Sequence, residues 1–515
     1  MKKVLSVIIL LGISCGFVAG TEPNVKKLSL KDAIFYALKN NLDLQVQKAD
    51  TEISRLTMRI NKTIYLPSLE VGSQYVKSKE PSSSLYDGVE SVEDETFSWS
   101  LGLTQTLPLG GNLSVTFANQ RNETNTLDAV VNPVIFTSGR IDFTQPLLRN
   151  FGALVTNYQI RLAANNYKIS KYQLEQNIVN LVYNVESAYW ELVYAHQNLE
   201  TRKMALERAK DLLKQNEVKV KVGTLAPIEI LNSKASVASN ESQVIQAERT
   251  IQTREETLKR ILNMSKKPFS IVPTDKPEIK PMETDFNTFL AEALENRSDM
   301  KQAKANLESN NLTVRFRKNQ LLPNLQLSAS VISYGQAGTI WDTTTDNPFD
   351  PDFERFIIFE RSFKDAVKDL FAFENNYYAI GMSLQIPIPF TREKSELAQA
   401  KVNKNRSLMQ LKGVENTVYS EVKDVIKQLE SNRKLVDADK IAMELESENL
   451  KAEERKLSVG LSTNFEVLTY QERLAAAQTS LLRSTIDYML TLARINQVLN
   501  RTFKFYDIKF SEYVD

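Results

Sequence analysis

The sequence predicts a mainly α chain with a smaller β component, built as two copies of one unit in which strands are followed by a long helical hairpin. The first observation is a run at residues 393–458 that holds no proline and a single glycine, Gly413, while its apolar residues recur at helical spacing. The second is the segment that ends this run, Val459-Gly-Leu-Ser-Thr-Asn-Phe-Glu-Val-Leu468. A counterpart, Val222-Gly-Thr-Leu-Ala-Pro-Ile-Glu-Ile-Leu231, follows another proline-free run. The offset from Gly223 to Gly460 equals that from Leu262-Asn263 to Leu499-Asn500, where both second arms stop. The third is a change of period from helical to two after Leu66-Pro67 and after Leu322-Pro323.

In chain order, Lys2-Lys3, an apolar run over residues 4–11 and the small-residue end Val18-Ala19-Gly20 have the three regions of a secretory signal peptide. Residues 1–20 are expected to be removed before Thr21, and the chain to be exported. The only cysteine, Cys15, falls inside this segment. A lipoprotein signal is the competing reading, opposed by Gly12, which occupies the position three before Cys15 where leucine is usual. No other stretch approaches the ~18 apolar residues of a membrane-spanning helix, so any crossing is made by strands.

Composition narrows the class. With 64 basic and 63 acidic residues the charge is near neutral, which argues against a nucleic-acid binder. Charged residues at 25% and only 16 glycines and 16 prolines in 515 residues suggest much helix and few loops. The one histidine, His196, lies in a long helix and reads as a polar residue on a helix face. Without cysteine or histidine clusters, a glycine-rich phosphate loop or a nucleophile elbow, no catalytic residue, metal or cofactor is expected, and the chain is read as not an enzyme.

Each copy opens with a helix. In Leu28-Ser-Leu-Lys-Asp-Ala-Ile-Phe-Tyr-Ala-Leu-Lys-Asn-Asn-Leu-Asp43, Ser29 can cap a helix expected to run to about Tyr65 and to stop at Leu66-Pro67. The second copy has Ala293-Leu-Glu-Asn-Arg-Ser-Asp299, then Leu322-Pro323; Ala37 and Ala293 are separated by the same stretch of chain as Pro67 and Pro323. At the hairpin tips, Gly223 and Gly460 suit the left-handed end of a helix. Thr463-Asn-Phe-Glu466 fits a capping box, and Pro227 suits a first helical turn.

Between helices, Leu69, Val71, Ser73 and Tyr75 alternate with Glu70, Gly72, Gln74 and Val76. Tyr378, Ile380, Met382, Leu384 and Ile386 alternate with Ala379, Gly381, Ser383 and Gln385. A half-buried soluble sheet gives the same pattern. Strands of roughly 9 to 11 residues in an exported chain, followed by helices too long for a compact domain, point instead to an outer-membrane barrel. A helix of about 67 residues spans ~100 Å, and two of about 36 residues placed end to end span ~108 Å, so each copy can present two equal columns. Four strands per chain are the minimum; four cannot close, and open edges are forbidden in lipid, so identical chains must share the barrel.

The order and spacing of these motifs resemble the outer membrane efflux protein (TolC-like) family over essentially the whole mature chain. The resemblance rests on the opening at residues 28–43, the strand starts at Pro67 and Pro323, Ile386-Pro-Ile-Pro-Phe390, and the Val-Gly tips at Gly223 and Gly460. It implies duplicated helical hairpins forming a twelve-helix periplasmic α-barrel, joined to the twelve strands of a trimeric transmembrane β-barrel. It implies a homotrimer in the bacterial outer membrane, extending through the periplasm and touching outer-membrane lipid. Such a trimer is a passive exit duct of a tripartite efflux pump or type I secretion system. Its implied partners are a periplasmic adaptor (membrane fusion) protein and an inner-membrane RND or ABC transporter.

On that resemblance the tips form the closed periplasmic end. Glu229 and Glu466, at matching places just after the tip glycines, become candidates for an acidic gate, although a negative charge at a helix N-terminus explains them equally. Two positions depart from the family pattern: Ser462 stands where some members carry a basic gate residue, and Thr469 where a further acid is often found. Gly223, Thr224, Leu225, Gly460, Leu461 and Ser462 are the candidate adaptor contacts.

The expected division is residues 21–264 for the first copy, with strands about 67–146 and a hairpin at 157–262, and residues 285–500 for the second, with strands about 323–390 and a hairpin at 393–499. Residues 501–515 form a tail. The proline-rich residues 265–284 read as a belt around the tunnel or a plain linker, and residues 335–377 as an external loop carrying a short helix near 359–371. The stretch from Pro67 to Pro146 is longer than its counterpart from Pro323 to Pro387. The excess contains Phe97, Trp99, Leu101 and Leu103, then Leu113, Val115 and Phe117, an added hairpin that either joins the barrel, making eighteen strands, or sits outside it. The alternative function is an exported coiled-coil structural or adhesive surface protein without a pore; a hydrolase is opposed by the missing nucleophile and metal constellations.

Overall fold

The computed structural model describes residues 24–279, 282–342 and 356–513. The expected signal peptide, with Cys15, lies outside the described residues, as do residues 343–355 of the external loop. The first copy contains β1 (Asn24–Leu28), α1 (Leu30–Asn40), α2 (Leu42–Lys62), β2 (Ser68–Pro81), β3 (Ser91–Thr106), β4 (Asn112–Thr124) and β5 (Val131–Pro146). Then come α3 (Ala153–Thr156), α4 (Tyr158–Lys221), α5 (Ile228–Ile261) and β6 (Phe269–Pro273). The second copy contains α6 (Phe286–Asn296), α7 (Ser298–Gln320), β7 (Asn324–Trp341), β8 (Ile357–Arg361), α8 (Phe363–Ala372) and β9 (Asn375–Gln385). It ends with α9 (Thr391–Ser458), α10 (Asn464–Val498) and α11 (Thr502–Phe505). Two compact units result: Met1–Lys48 with Leu174–Ser298 and Asn416–Asp515, and Ala49–Gln173 with Asp299–Glu415.

The second of these units holds one antiparallel sheet in the order β2-β3-β4-β5-β7, with β9 and the short β8 both pairing β7. The added hairpin is β3 and β4, turned at Leu107, whose N–H donates to the Gly111 carbonyl at 2.8 Å. It lies within the sheet, so the four strands per chain that the family resemblance implies become six long ones. The register aligns Leu69, Leu103, Val115, Ile141, Val331 and Tyr378 in one row across all six. On the opposite face the neighbouring row reads Ser68, Thr104, Ser114, Asp142, Ser330 and Ala379. Among the described residues no protein layer covers the ends of the apolar row: Leu69 and Tyr378 are 65% and 63% exposed. A half-buried soluble sheet would cover such a face; a sheet in lipid leaves it bare.

The first unit shows why the opening helix differs from expectation. It is two helices, α1 and α2, because the backbone at Asn41 is extended, with ψ 127°. The Asn41 side chain accepts the Leu44 N–H at 3.0 Å, starting a new helix, and its amide donates to the Ile261 carbonyl at 3.0 Å. Arg297, at the matching place in the second copy, repeats the break between α6 and α7 with ψ 134°. The α5 and α10 ends meet these breaks in the same way: Asn263 Nδ2 donates to the Asn40 carbonyl at 3.3 Å, and Asn500 Nδ2 to the Asn296 carbonyl at 2.9 Å. Short helices therefore abut in both copies, while α4 and α9 run unbroken for 64 and 68 residues.

Around this junction β1 pairs in parallel with β6, and Ile34, Leu174, Leu258, Leu262 and Ile271 are fully buried in one core. One charged group is sealed beside it. Glu186, only 4% exposed, accepts a hydrogen bond from the Tyr506 hydroxyl, and burial pushes its carboxyl up to about 7. Because this value lies above that of the unfolded carboxyl, the folded state is favoured fully below about pH 4.5, and that advantage is lost as pH rises through about 7. Glu186→Gln, which keeps the acceptor, is expected to stabilise the protein at pH 8.5 by up to about 3 kcal/mol. The gain should vanish below about pH 4.5, as read from helical melting in detergent across that range.

Candidate functional site at the hairpin tips

The tips are built by the same two backbone bonds in each copy. At the end of α4 the Gly223 N–H donates to the Val220 carbonyl at 3.0 Å and the Thr224 N–H to the Lys219 carbonyl at 2.9 Å. At the end of α9 the Gly460 N–H donates to the Leu457 carbonyl at 3.3 Å and the Leu461 N–H to the Lys456 carbonyl at 2.9 Å. This arrangement needs a left-handed residue, and both glycines supply it, with φ 79° and 81°. A Cβ at either position would meet no atom within 4 Å, so backbone conformation alone selects glycine there. After the turn the Thr463 hydroxyl accepts the Glu466 N–H at 3.3 Å. Only this half of the expected capping box forms, and Pro227 precedes α5 without a side-chain cap.

The two acids differ in setting. Glu466 is exposed, whereas Glu229 has one carboxylate oxygen shut away from solvent without a hydrogen-bond partner among the described residues. Ser462 and the Lys456 ammonium hold the Glu453 carboxyl below the usual carboxylate range. Thr469 donates to the Phe465 carbonyl at 2.9 Å and Thr224 to the Lys219 carbonyl at 3.0 Å, so both hydroxyls are spent on their own helices. Leu461 stands out at 79% exposed; Leu225 is partly covered. His196 is half-buried, and burial holds its imidazole below the ordinary value, which fits a neutral packed residue.

Sequence reasoning missed an apolar surface on these tips. Val222 and Val459 are both exposed, as are Ile228 and Phe465, while Val467 is buried with Leu212, Leu450 and Leu474. The signal was available, since the members of each exposed pair are offset along the chain by the same interval as the tip glycines.

The outer membrane efflux protein family model matches residues 113–264 and 289–501. No curated protein matches the sequence. Among solved structures the chain is similar to the Campylobacter jejuni CmeC outer membrane channel, at 16% identity and TM-score 0.66, covering 94% of this chain and 90% of that one. It is similar to the Vibrio cholerae outer membrane protein VceC, at 16% identity and TM-score 0.63, covering 91% and 95%. It is also similar to the open state of the Neisseria gonorrhoeae MtrE outer membrane channel, at 16% identity and TM-score 0.62, covering 91% and 88%. These likenesses extend the fold over nearly the whole of each chain; the family match, which covers more than half of the sequence, shows that the chain belongs to the outer membrane efflux protein family, as an outer-membrane efflux duct and not an enzyme.

Proposed function

We propose that three copies of the chain close one eighteen-stranded barrel, in which β2 of each copy pairs with β9 of the next. The observation that carries this is the apolar row that crosses all six long strands and ends at two edges, each paired on one side only. Family membership implies trimeric assembly in general. With six strands per copy β2 and β9 run in opposite directions, so the junction repeats the antiparallel pairing found inside the sheet. Leu69 and Tyr378 then continue the lipid-facing row into the neighbour. At about 4.8 Å between strands tilted about 40°, eighteen strands give a wall of ~18 Å radius, against ~12 Å for twelve.

The tips are the gate and docking end of the duct. Three copies contribute six carboxylates from Glu229 and Glu466, which concentrate cations at the entrance. The paired exposed residues Val222, Ile228, Val459 and Phe465 extend the candidate contact set of Gly223, Thr224, Leu225, Gly460, Leu461 and Ser462 for a periplasmic adaptor protein. An inner-membrane RND or ABC transporter supplies the energy, because the duct has no chemistry of its own.

Two measurements test this. Ile380→Arg, on the same face and paired with Ala329 about midway between Leu325 and Gly335, puts three charges per trimer on the lipid side, each costing about 2–4 kcal/mol near mid-bilayer, and is expected to abolish heat-resistant trimers in outer-membrane fractions. Purified protein in planar bilayers is expected to pass single-channel currents that trivalent cations block. Glu466→Gln should weaken that block several-fold, and more than Glu229→Gln, since Glu466 is the exposed acid; absence of any current would defeat the conduit reading.

A further inference from the structure

We propose that α8 is an interfacial anchor, lying on the outer surface of the barrel wall and holding lipid headgroups of the outer leaflet whose phosphates carry net negative charge. The inference rests on the barrel reading above. Its first support is the face on which α8 packs. A Cβ added at Gly335 would meet the Ala366 carbonyl oxygen at 1.8 Å, and one at Gly139 would meet Leu370 at 3.4 Å. The Ser333 hydroxyl donates to the Leu370 carbonyl at 2.7 Å, and the Phe363 ring centre is 6.4 Å from that of Trp99. Strand alternation puts Gly335 and Ser333 on the same face as Val331, Gly139 with Ile141, and Trp99 with Leu103. Those partners belong to the apolar row, so α8 sits on the lipid side of the sheet and not in the lumen.

The second support is height. Gly335 lies ten positions beyond Leu325 on β7. At about 3.4 Å per residue and about 40° of tilt this is ~26 Å, the thickness of the apolar band of an outer-membrane barrel. The helix therefore docks where that band meets the headgroups.

The third is what α8 turns away from the sheet. Ala366 and Leu370 are buried, while Lys364, Lys368 and Phe371 form one stripe at helical spacing, with Phe371 72% exposed. The two acids on the helix itself are already engaged. Asp369 pairs with Arg361, and Asp365 accepts from the Ser362 N–H and hydroxyl at 2.9 and 2.8 Å. Lys364 and Lys368 have no ion pair among the described residues. Exposed phenylalanine gains nothing in water; beside two lysines whose stems can lie along apolar surface with their heads at phosphates, it suits a membrane interface.

The test uses the full chain reconstituted in vesicles, with Cys15→Ala and an environment-sensitive dye on one introduced cysteine. Phe371→Cys is compared with Leu384→Cys in the lipid band and Ser138→Cys on the polar face. The dye at 371 is expected to be quenched several-fold more than that at 138 by a lipid bearing a shallow nitroxide, and several-fold less by iodide. Its lipid quenching should rise when phosphatidylglycerol replaces phosphatidylcholine, and Lys364→Gln with Lys368→Gln should remove that rise. If iodide reaches 371 as freely as 138 while 384 is lipid-quenched, the anchor is refuted and the barrel stands. Equal quenching in both lipids, which share a phosphate and differ in net charge, refutes the contact with anionic headgroups. If 384 itself escapes lipid quenching, the barrel reading fails and the anchor with it.

Discussion

Backbone groups in hydrocarbon have no water to fall back on, and this requirement governs everything the strands do. The row from Leu69 to Tyr378 commits one face of the sheet to lipid, yet a single copy leaves the outer hydrogen-bonding edges of β2 and β9 unpaired. Neither edge strand carries a proline within its length that would blunt it; β2 has proline only at its last residue, Pro81. The edges are built to be joined. The same requirement explains why the added segment is a complete hairpin. One extra strand would leave β2 and β9 parallel and end the antiparallel closure, whereas the pair β3 and β4 preserves direction and satisfies its own new edges.

A second regularity belongs to the helices. All four hairpin arms that stop at a tip or a junction use the same pair of bonds around a left-handed residue, at Gly223, Asn263, Gly460 and Asn500. The choice between glycine and asparagine is physical. At the tips the left-handed residue touches nothing, and glycine takes the conformation at least cost. At the junctions the residue has a second task, since the Asn263 and Asn500 amides donate to the last carbonyls of α1 and α6. Asparagine is the side chain that tolerates left-handed φ and can also bridge to the next helix.

Much of this was legible because it repeats. The equal offsets of the tips and of the second-arm ends, with the strand starts at Pro67 and Pro323, established the duplication, and alternation at residues 378–386 separated a lipid face from a polar one. The break at Asn41 was not legible from periodicity, because apolar residues continue in phase through it and a local side-chain cap decides the outcome. Asn40-Asn41 and Arg297-Ser298-Asp299, rich in capping residues at matching places, were the available clue. The exposure of Ile228 and Phe465 was hidden for a different reason: each lies two positions from a more enclosed apolar residue, Ile230 and Val467, and only three-dimensional packing divides them.

The two copies diverge where their surroundings allow it. At the junctions each left-handed asparagine ties the end of one helix to the last carbonyl of the next, so the bond made by Asn263 recurs at Asn500. At the tips the backbone bonds are equally fixed, but the side chains beyond them answer to no such requirement, and Glu229 and Glu466 differ in how their carboxylates meet solvent. In the sheet, divergence goes furthest. Lipid constrains only the sign of hydrophobicity on one face and the pairing of edges, so a hairpin in the first copy and a helix on the second copy's outer face were both admissible. Retention of the duplicated bonds and freedom of the added elements follow from one rule: a polar backbone group must keep a partner, and any change that respects this is tolerated.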